Sequence, residues 1–420
     1  MSIYQIAHVT GGISILSSIL IIFVIGRSKD KLSTIYHRIM LGMSCADILG
    51  SFAMALTSLP MPNVINDSEV LQDKYGIFGP MIGTTFTCEL QGFFFMFGTL
   101  TGFSLNGMLC VYYALAIAFR LKEKTIHRYF EPILIALPLC VGVGCTIATA
   151  VLDQFNPSPF EPWCFVAPFA CGMELKKEMC DILPNGSCLE TEKKCYRGDL
   201  DHMQKILATV KAIIAISCFA ILLSLVACTL RVFWTNQRMI EASKIARSIH
   251  RNVQDFAKAR HSHDTTKLIL AQAFAYMCVF GLLVTFPFMR EKSMKSGIPS
   301  SQALDISFLI VFPSQGFFNC IIFMSHKVYN FRRSNSDVSV MDALKKIVNG
   351  DSIEPFVMER ISIIDVNYKL KEVNVEIEDE SGRDERMVLS FATPESLATA
   401  PEDKRVFYDK VTTDTLQLKP

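Results

Sequence analysis

The sequence predicts an all-α membrane protein, a seven-transmembrane helix bundle with the N terminus outside and the C terminus inside. Half of the 420 residues are apolar and 19% are charged, whereas a soluble domain is usually about 25% charged. The apolar residues form long runs and are not spread at the spacing of a soluble core. A formal net charge of +1 gives no indication of a nucleic-acid partner.

Seven apolar runs are long enough to cross a bilayer, whose hydrocarbon core needs about 20 helical residues. Helices are expected because lipid offers free backbone groups no hydrogen-bond partners. The predicted spans are residues 6–25, 39–59, 91–118, 132–151, 207–230, 268–289 and 304–324. The last run contains Asp305, Pro313, Gln315 and Asn319, which leaves a count of six as the alternative.

The orientation follows from Lys and Arg residues, which concentrate in cytoplasmic loops. Such residues recur between the first two spans, in 120–128 and in 231–267. On the other side, residues 1–5 carry none and 60–90 carry only Lys74. The chain start has neither the charged region nor the cleavage site of a signal peptide. The N terminus is therefore expected outside.

The cysteines and glycosylation sequons agree with this orientation. Eight cysteines fall inside predicted spans, and the other six fall in outer segments, where disulfides persist. The outer six are Cys88, Cys164, Cys171, Cys180, Cys188 and Cys195. The sequons at Asn66 and Asn185 also lie in outer loops and predict glycosylation there.

The pairing of the outer cysteines is not fixed by spacing, because six cysteines allow 15 connectivities. Cys88 lies at the outer mouth of the third span, and Cys164 lies in the long loop 152–206. A disulfide between these two would tether that loop over the outer opening of the bundle. The other four would form two bridges inside 171–195.

Three polar residues lie within the predicted spans at similar depths. Asp47 and Asn319 are about 12 and 8 Å from the inner boundary at a rise of about 1.5 Å per residue, and Asn106 lies deeper. A carboxylate in the bilayer core costs about 2.5–3.5 kcal/mol, so Asp47 should have partners inside the bundle. The cluster could couple helix rearrangements, with or without a bound cation, or could be a static structural hydrogen-bond network.

Aromatic and charged residues at the outer ends of the spans suggest a ligand pocket. The candidates are Phe94, Phe97, Trp163, Lys211 and Asp305. Pockets of this kind combine apolar walls with a few polar anchors. The alternative is that Lys211 only extends to the membrane surface and that the phenylalanines face lipid.

The chain divides into a membrane domain, 1–332, and a cytoplasmic tail, 333–420. The tail has more acidic than basic residues and no cysteine, which predicts a mostly disordered segment with a short amphipathic piece near 341–348. Residues 325–334 combine basic and aromatic side chains, which suggests a position along the inner membrane surface. In the third span, Gly98 and Gly102 form a GxxxG pattern, typical of close helix packing or of a dimerisation face.

Enzymatic activity is not expected, and no cofactor or metal is predicted. The sequence has no HExxH, GxSxG or phosphate-loop motif and no recognisable catalytic triad. His261 and His263 lack a third ligand for a metal. The last span contains no lysine for a retinal Schiff base.

The chain resembles the G-protein-coupled receptors, and the residues that carry the resemblance lie between about 5 and 332. Ser44-Cys45-Ala46-Asp47 resembles the second-span aspartate motif of the rhodopsin-like group. Gln315-Gly316-Phe317-Phe318-Asn319 and Trp163-Cys164 resemble motifs of the cyclic-AMP-receptor-like and secretin-like groups. Tyr112-Tyr113-Ala114 departs from the rhodopsin-like Asp-Arg-Tyr, so the inner ionic lock of that group cannot form here.

The resemblance implies a plasma-membrane receptor that transmits an extracellular ligand signal to a heterotrimeric G protein at its inner loops. It identifies neither the ligand nor the class of G protein. The alternative is a membrane transporter or channel for an ion or small solute, in which Asp47 and Asn319 line the path. The scarcity of charges within the spans and the absence of paired inverted repeats disfavour that alternative.

Overall fold

In the part of the chain that the structure describes, the apolar runs form seven helical segments that are long and apolar enough to cross a membrane, which confirms the predicted seven-helix bundle. The orientation of the two termini stays a prediction. The computed structural model describes residues 3–28, 31–63, 80–158, 161–169, 195, 197–248, 253–295, 301–335, 337–350, 373–378 and 384–389. The chain divides into two units, Met1–Glu359 and Arg360–Pro420, so the first unit extends past the predicted boundary at residue 332.

The first six spans lie in six helices of the first unit. These are α1 (Ile3–Arg27), α2 (Ile35–Ala55), α3 (Thr85–Tyr113), α4 (Glu131–Val151), α5 (Leu200–Ser248) and α6 (Val253–Lys295). A π-helical turn, Ala114–Ala118, extends α3, and a short helical segment, Glu123–Phe130, leads into α4. The helices α5 and α6 continue well beyond the predicted spans 207–230 and 268–289 into the region predicted as an inner loop.

The ends of α2 and α3 are set by local hydrogen bonds. The Thr34 side chain caps α2 by accepting from the His37 amide, and Thr84 and Thr87 form a reciprocal capping box at α3. The second span was predicted to reach residue 59, but α2 ends at Ala55. The turn that follows contains Thr57 at a φ of 49°, outside the helical range.

The seventh span is divided at a proline. It consists of α7 (Gln302–Val311), a 3₁₀ turn (Phe312–Ser314) and α8 (Gln315–Ser334). Pro313 cannot donate a backbone hydrogen bond, which favours a break at this point. Residues 325–334, predicted to lie along the membrane surface, instead continue the last span in α8.

An amphipathic helix, α9 (Val340–Asn349), follows α8 close to the predicted 341–348 piece. It begins at Ser339, whose hydroxyl accepts from the Asp342 amide, and ends at Gly350, which has a left-handed φ of 83°. Ala343 and Ile347 form its buried face.

Two antiparallel hairpins complete the described structure. In the first unit, β1 (Phe155–Pro157) pairs with β2 (Cys164–Val166), with Asn156 opposite Phe165. In the second unit, β3 (Val373–Glu378) pairs with β4 (Asp384–Leu389), within the region predicted to be mostly disordered.

The close approach of α2 and α3 depends on a glycine. A Cβ at Gly98 would lie 2.5 Å from the Gly50 nitrogen and 2.6 Å from the Ala46 carbonyl oxygen, too close for any side chain. The GxxxG pattern of the third span therefore serves helix packing within this bundle.

The substitution Gly98→Ala is expected to push α3 away from α2 and to lower the free energy of unfolding by about 1–3 kcal/mol. Gly144→Ala is the matched control, because no atom lies within 4 Å of a Cβ at Gly144 on α4. Thermal unfolding of the purified proteins in detergent measures both. Equal unfolding temperatures for the two variants would contradict the packing role of Gly98.

Candidate functional site

A disulfide fixes the long loop to the top of α3. Cys88 and Cys164 are bonded, with their Cα atoms 5.4 Å apart, and both are almost fully buried. This is the pair favoured from the sequence. Residues 161–169, which contain Cys164, are called the outer strap below, since they lie at the end of the bundle predicted to face outward.

Gln91, one turn below Cys88, joins three segments through its amide. Its Nε2 donates to the backbone oxygens of Ala53 (2.9 Å) and Thr57 (2.7 Å) at the end of α2. Its Oε1 accepts from the backbone nitrogen of Cys164 at 3.0 Å. A fully buried amide thus holds the outer strap against both α2 and α3.

Trp163 fills the centre of the outer opening. Its indole ring is 1% exposed and lies between Phe95 of α3, at a centroid distance of 5.5 Å, and Phe308 of α7, at 5.8 Å. Phe165 and Phe312 also contact Phe95 edge-on or at a tilt. The outer strap therefore inserts the Trp163 ring into an aromatic socket, formed by Phe95 and Phe308 of the helices.

An ionic cluster lies beside this socket. The Arg290 guanidinium on α6 contacts Glu161 of the strap through Nη1 (2.8 Å) and Asp305 of α7 through Nε (2.7 Å). The guanidinium carbon also lies 4.9 Å from the centre of the Phe308 ring, a distance suited to a cation–π contact. The cluster ties the strap to α6 and α7.

A second arginine ties the far end of the long loop. Arg197 pairs with Glu89 of α3 and, at 2.8 Å, with Asp153 ahead of β1. Burial lowers the pKa of Arg197 from its ordinary value. The guanidinium stays charged over the physiological range and holds both ends of the loop near α3.

The residues predicted to line a pocket separate into two groups. Trp163 and Phe94 join one apolar cluster with Phe95 and Phe308, and Asp305 lies beside it through Arg290. Lys211 instead pairs with Glu291 on the rim, at 2.5 Å. Phe97 lies against α4, near Gly142.

Sequence reasoning missed Glu161, Arg290 and Gln91, which make the polar contacts of this site. Arg290 lies at the very end of an apolar run, where a cation usually extends to the membrane surface, so its position in the sequence does not indicate buried partners. Glu161 lies in a loop with many charges, and nothing in its sequence context distinguishes it from the others.

The polar residues of the bundle centre are partly brought together. Asn319 Nδ2 donates to Asp47 Oδ2 at 2.7 Å, and both residues are buried. Gly102 leaves room beside them, because a Cβ there would meet Gln315 Nε2 at 2.8 Å and Asp47 Oδ1 at 3.5 Å. Asn106 is buried as well, but its Oδ1 has no hydrogen-bond partner among the described residues.

A hydroxyl and amide cluster, called the inner clasp below, closes the opposite end of the bundle. Gln272 Nε2 of α6 donates to the Tyr36 hydroxyl of α2 at 2.8 Å. Tyr276, one turn further along α6, donates to the Met40 sulfur at 3.3 Å. The Tyr36 ring also lies 6.3 Å from that of Tyr113 on α3.

Several predicted positions lie outside the described residues. These are Cys171, Cys180, Cys188, Asn66 and Asn185. Cys195 is disulfide-bonded. The eight cysteines within predicted spans are free thiols. Within the part of the chain that the structure describes, no group of three or more His, Cys, Asp or Glu side chains is arranged to hold a metal ion.

Comparison with known proteins gives a match to solved structures. No family model matches the chain, and no curated protein matches its sequence. Among solved structures, the crystal structure of squid rhodopsin is similar, with a TM-score of 0.47 and 12% sequence identity. The similarity covers 84% of this chain and 92% of the squid protein.

Removing the disulfide should loosen the outer strap. Cys88→Ser and Cys164→Ser are each expected to lower the free energy of unfolding by about 2–4 kcal/mol. The double variant should be no worse than either single one, because both remove the same bond. Cys140→Ser, at an exposed free thiol of α4, is the control. Additive losses in thermal unfolding would argue against a shared bond.

Proposed function

We propose that the chain is a G-protein-coupled receptor of the plasma membrane, with its N terminus outside, that transmits an extracellular ligand signal to a heterotrimeric G protein. The observation that carries the proposal is that one helix, α6, takes part in the closure of both ends of the bundle. Arg290 holds the outer strap, and Gln272 and Tyr276 form the inner clasp.

The distance between these contacts suits transmission across a membrane. Arg290 and Gln272 are 18 residues apart in the sequence, or about 27 Å along an α-helix at about 1.5 Å per residue. A rotation or tilt of α6 that follows a change at Arg290 therefore also moves Gln272. A ligand that favours the opened outer end shifts the bundle toward the state in which the inner clasp is open.

The buried Asp47–Asn319 bond lies between the two ends and joins α2 to α8. The Tyr36–Gln272 bond also begins on α2, so both contacts report on the position of that helix. We infer that this polar pair couples the last span to the inner clasp.

The inner loops would receive the G protein, because they carry the basic residues. Spans five and six would part at the inner face when the clasp opens, exposing residues of 120–128 and 231–267. In the tail, Ser and Thr residues would provide phosphorylation sites that end the signal.

Opening the inner clasp should raise basal signalling. Gln272→Leu removes the donor to the Tyr36 hydroxyl, and a hydrogen bond of this kind contributes about 0.5–1.5 kcal/mol. The expected result is a two- to tenfold rise in ligand-independent guanine-nucleotide exchange, measured with a panel of purified G proteins in nanodiscs.

The matched control for this experiment is Gln302→Leu, at an exposed position at the start of α7. It should leave basal exchange at the wild-type level. A surface-expressed Gln272→Leu protein that stimulates none of the G proteins in the panel would count against the proposed coupling.

Substitution of Asp47 distinguishes the receptor hypothesis from the transporter hypothesis. Asp47→Asn keeps the size of the side chain but removes the acceptor charge facing Asn319, so it should suppress nucleotide exchange in the Gln272→Leu background by more than half. Phe52→Leu, at an exposed position of α2, is the control. Solute flux into vesicles that Asp47→Asn abolishes, with exchange absent throughout, would establish the transporter instead.

A further inference from the structure

The outer strap places a carboxylate and an aromatic ring side by side in the mouth of the bundle. Glu161 contacts Arg290, and Trp163, two residues on, fills the socket between Phe95 and Phe308. Arg290 also lies over the Phe308 ring, so the anionic and aromatic contacts share one wall. Two side chains of the strap thus occupy two adjoining subsites, Glu161 beside Arg290 and Trp163 between Phe95 and Phe308.

The subsite around Arg290, which holds the carboxylate, is formed by buried side chains with defined contacts. Arg290 is only 8% exposed, and its side chain faces carboxylates from two other segments, Glu161 and Asp305. Asp305 belongs to α7 and is fixed by that helix. Glu161 belongs to the strap, so it is the carboxylate that can be exchanged without rearranging the helices.

Glu161 is an incompletely satisfied occupant of this subsite. Its Oε2 is buried and has no hydrogen-bond partner among the described residues, although Oε1 contacts Arg290. Burial raises the pKa of Glu161, and the attraction of Arg290 only partly offsets that effect. A carboxylate that satisfied both of its oxygens would bind Arg290 better than Glu161 does.

We propose that Arg290 and the socket between Phe95 and Phe308 bind an aromatic anion, a ligand with a planar ring and a carboxylate, that displaces Glu161 and Trp163 of the strap. The inference rests on the proposed receptor function, for which it names the ligand class. A planar guanidinium matches a carboxylate through two parallel hydrogen bonds, whereas a cationic ligand would be repelled.

The strap can release these side chains while it remains attached. Cys164 is held by its disulfide and by Gln91, so the strap cannot leave α3. Glu161 lies three residues before Cys164 and separates from Arg290 by a local movement. Trp163 leaves its socket by rotation of its side chain, and the ligand ring takes its place against Phe95 and Phe308.

Replacement of Glu161 by a ligand also changes the contacts of α6 directly. When a ligand replaces Glu161, Arg290 loses its link to the strap and gains one to a freely placed anion. The helix is then tied to α7 through Asp305 but no longer to the disulfide-held loop. Displacement of the strap therefore removes one constraint on the helix that carries the inner clasp.

The test uses indole-3-propionate, which combines the ring of Trp163 with a carboxylate, and its neutral amide as the paired probe. Both are titrated calorimetrically against the purified full-length chain in nanodiscs. The wild type should bind the acid at least tenfold more tightly than the amide. In Glu161→Gln, where the competing carboxylate is absent, affinity for the acid should rise a further tenfold or more, with the amide unchanged.

Two further variants complete the design. Glu291→Gln removes the neighbouring rim carboxylate that pairs with Lys211, and should leave the affinity of both probes at the wild-type level. Arg290→Gln should abolish the preference for the acid over the amide. If Arg290→Gln does not fold, Arg290→Lys replaces it, with an expected loss of at least fivefold for the acid alone.

The outcomes separate this site from the receptor proposal. Acid binding that Glu161→Gln leaves unchanged, or equal affinity for acid and amide in all proteins, would overturn the site. Binding is measured without a G protein, so it does not depend on coupling. Probe binding as expected, without any nucleotide-exchange response, would overturn the receptor proposal and leave the binding site standing. Nucleotide exchange in Gln272→Leu, without probe binding, would overturn the binding site and leave the receptor proposal standing.

Discussion

The exclusion of water from the bilayer core is the constraint on which this structure depends. Within lipid, backbone groups must be satisfied inside each helix, and polar side chains must find partners inside the bundle. In the described part of the chain, the spans obey the first requirement through seven helical segments, the last of which is interrupted by a 3₁₀ turn at Pro313. They obey the second in part through buried contacts such as that of Asp47 with Asn319.

The same constraint makes the polar contacts between helices informative. An apolar contact between two spans differs little from a contact with lipid, so it fixes no particular arrangement. A buried hydrogen bond or ion pair is lost when the helices separate and regained only in the same geometry. The contacts of α6 at Arg290 and Gln272 therefore fix the position of this helix at both ends more sharply than the apolar packing around them.

Much of the bundle could be predicted from the sequence, because its signals are strong and local. Run length gave the seven spans, and depth along the helices brought Asp47 and Asn319 to a common level. The end of α2 before residue 59 could not be predicted, since apolar residues continue through the turn at Thr57. Hydropathy detects burial in lipid, and it does not detect where a helix ends within an apolar run.

The candidate site was predicted less completely, because its contacts join distant segments. Trp163 and Asp305 belong to the outer mouth, but Lys211 pairs on the rim and Phe97 faces α4. Helix rotation decides which way a residue on an apolar span points, and a span that is apolar all round gives little information about rotation. The role of Arg290 could not be predicted for the same reason, because only its partners on the strap and α7 distinguish it from a residue at the membrane surface.

The inner clasp differs in strength from a buried ion pair, and that difference decides how firmly it holds the helices together. The clasp is made of neutral groups, with Gln272 donating to Tyr36 and the Tyr36 ring close to that of Tyr113. Breaking a buried ion pair by removing one partner costs about 3–5 kcal/mol, whereas a neutral hydrogen bond contributes about 0.5–1.5 kcal/mol. Separating the helices at a clasp of the second kind therefore costs little free energy. Ion pairs lie at both ends of the bundle, with Arg290 and Arg197 at the outer end and Arg38 with Glu131 at the inner end. The inner pair joins α2 to α4, whereas the contact of α6 with α2 at that end is the neutral bond between Gln272 and Tyr36, so α6 is held there by the weaker kind of contact.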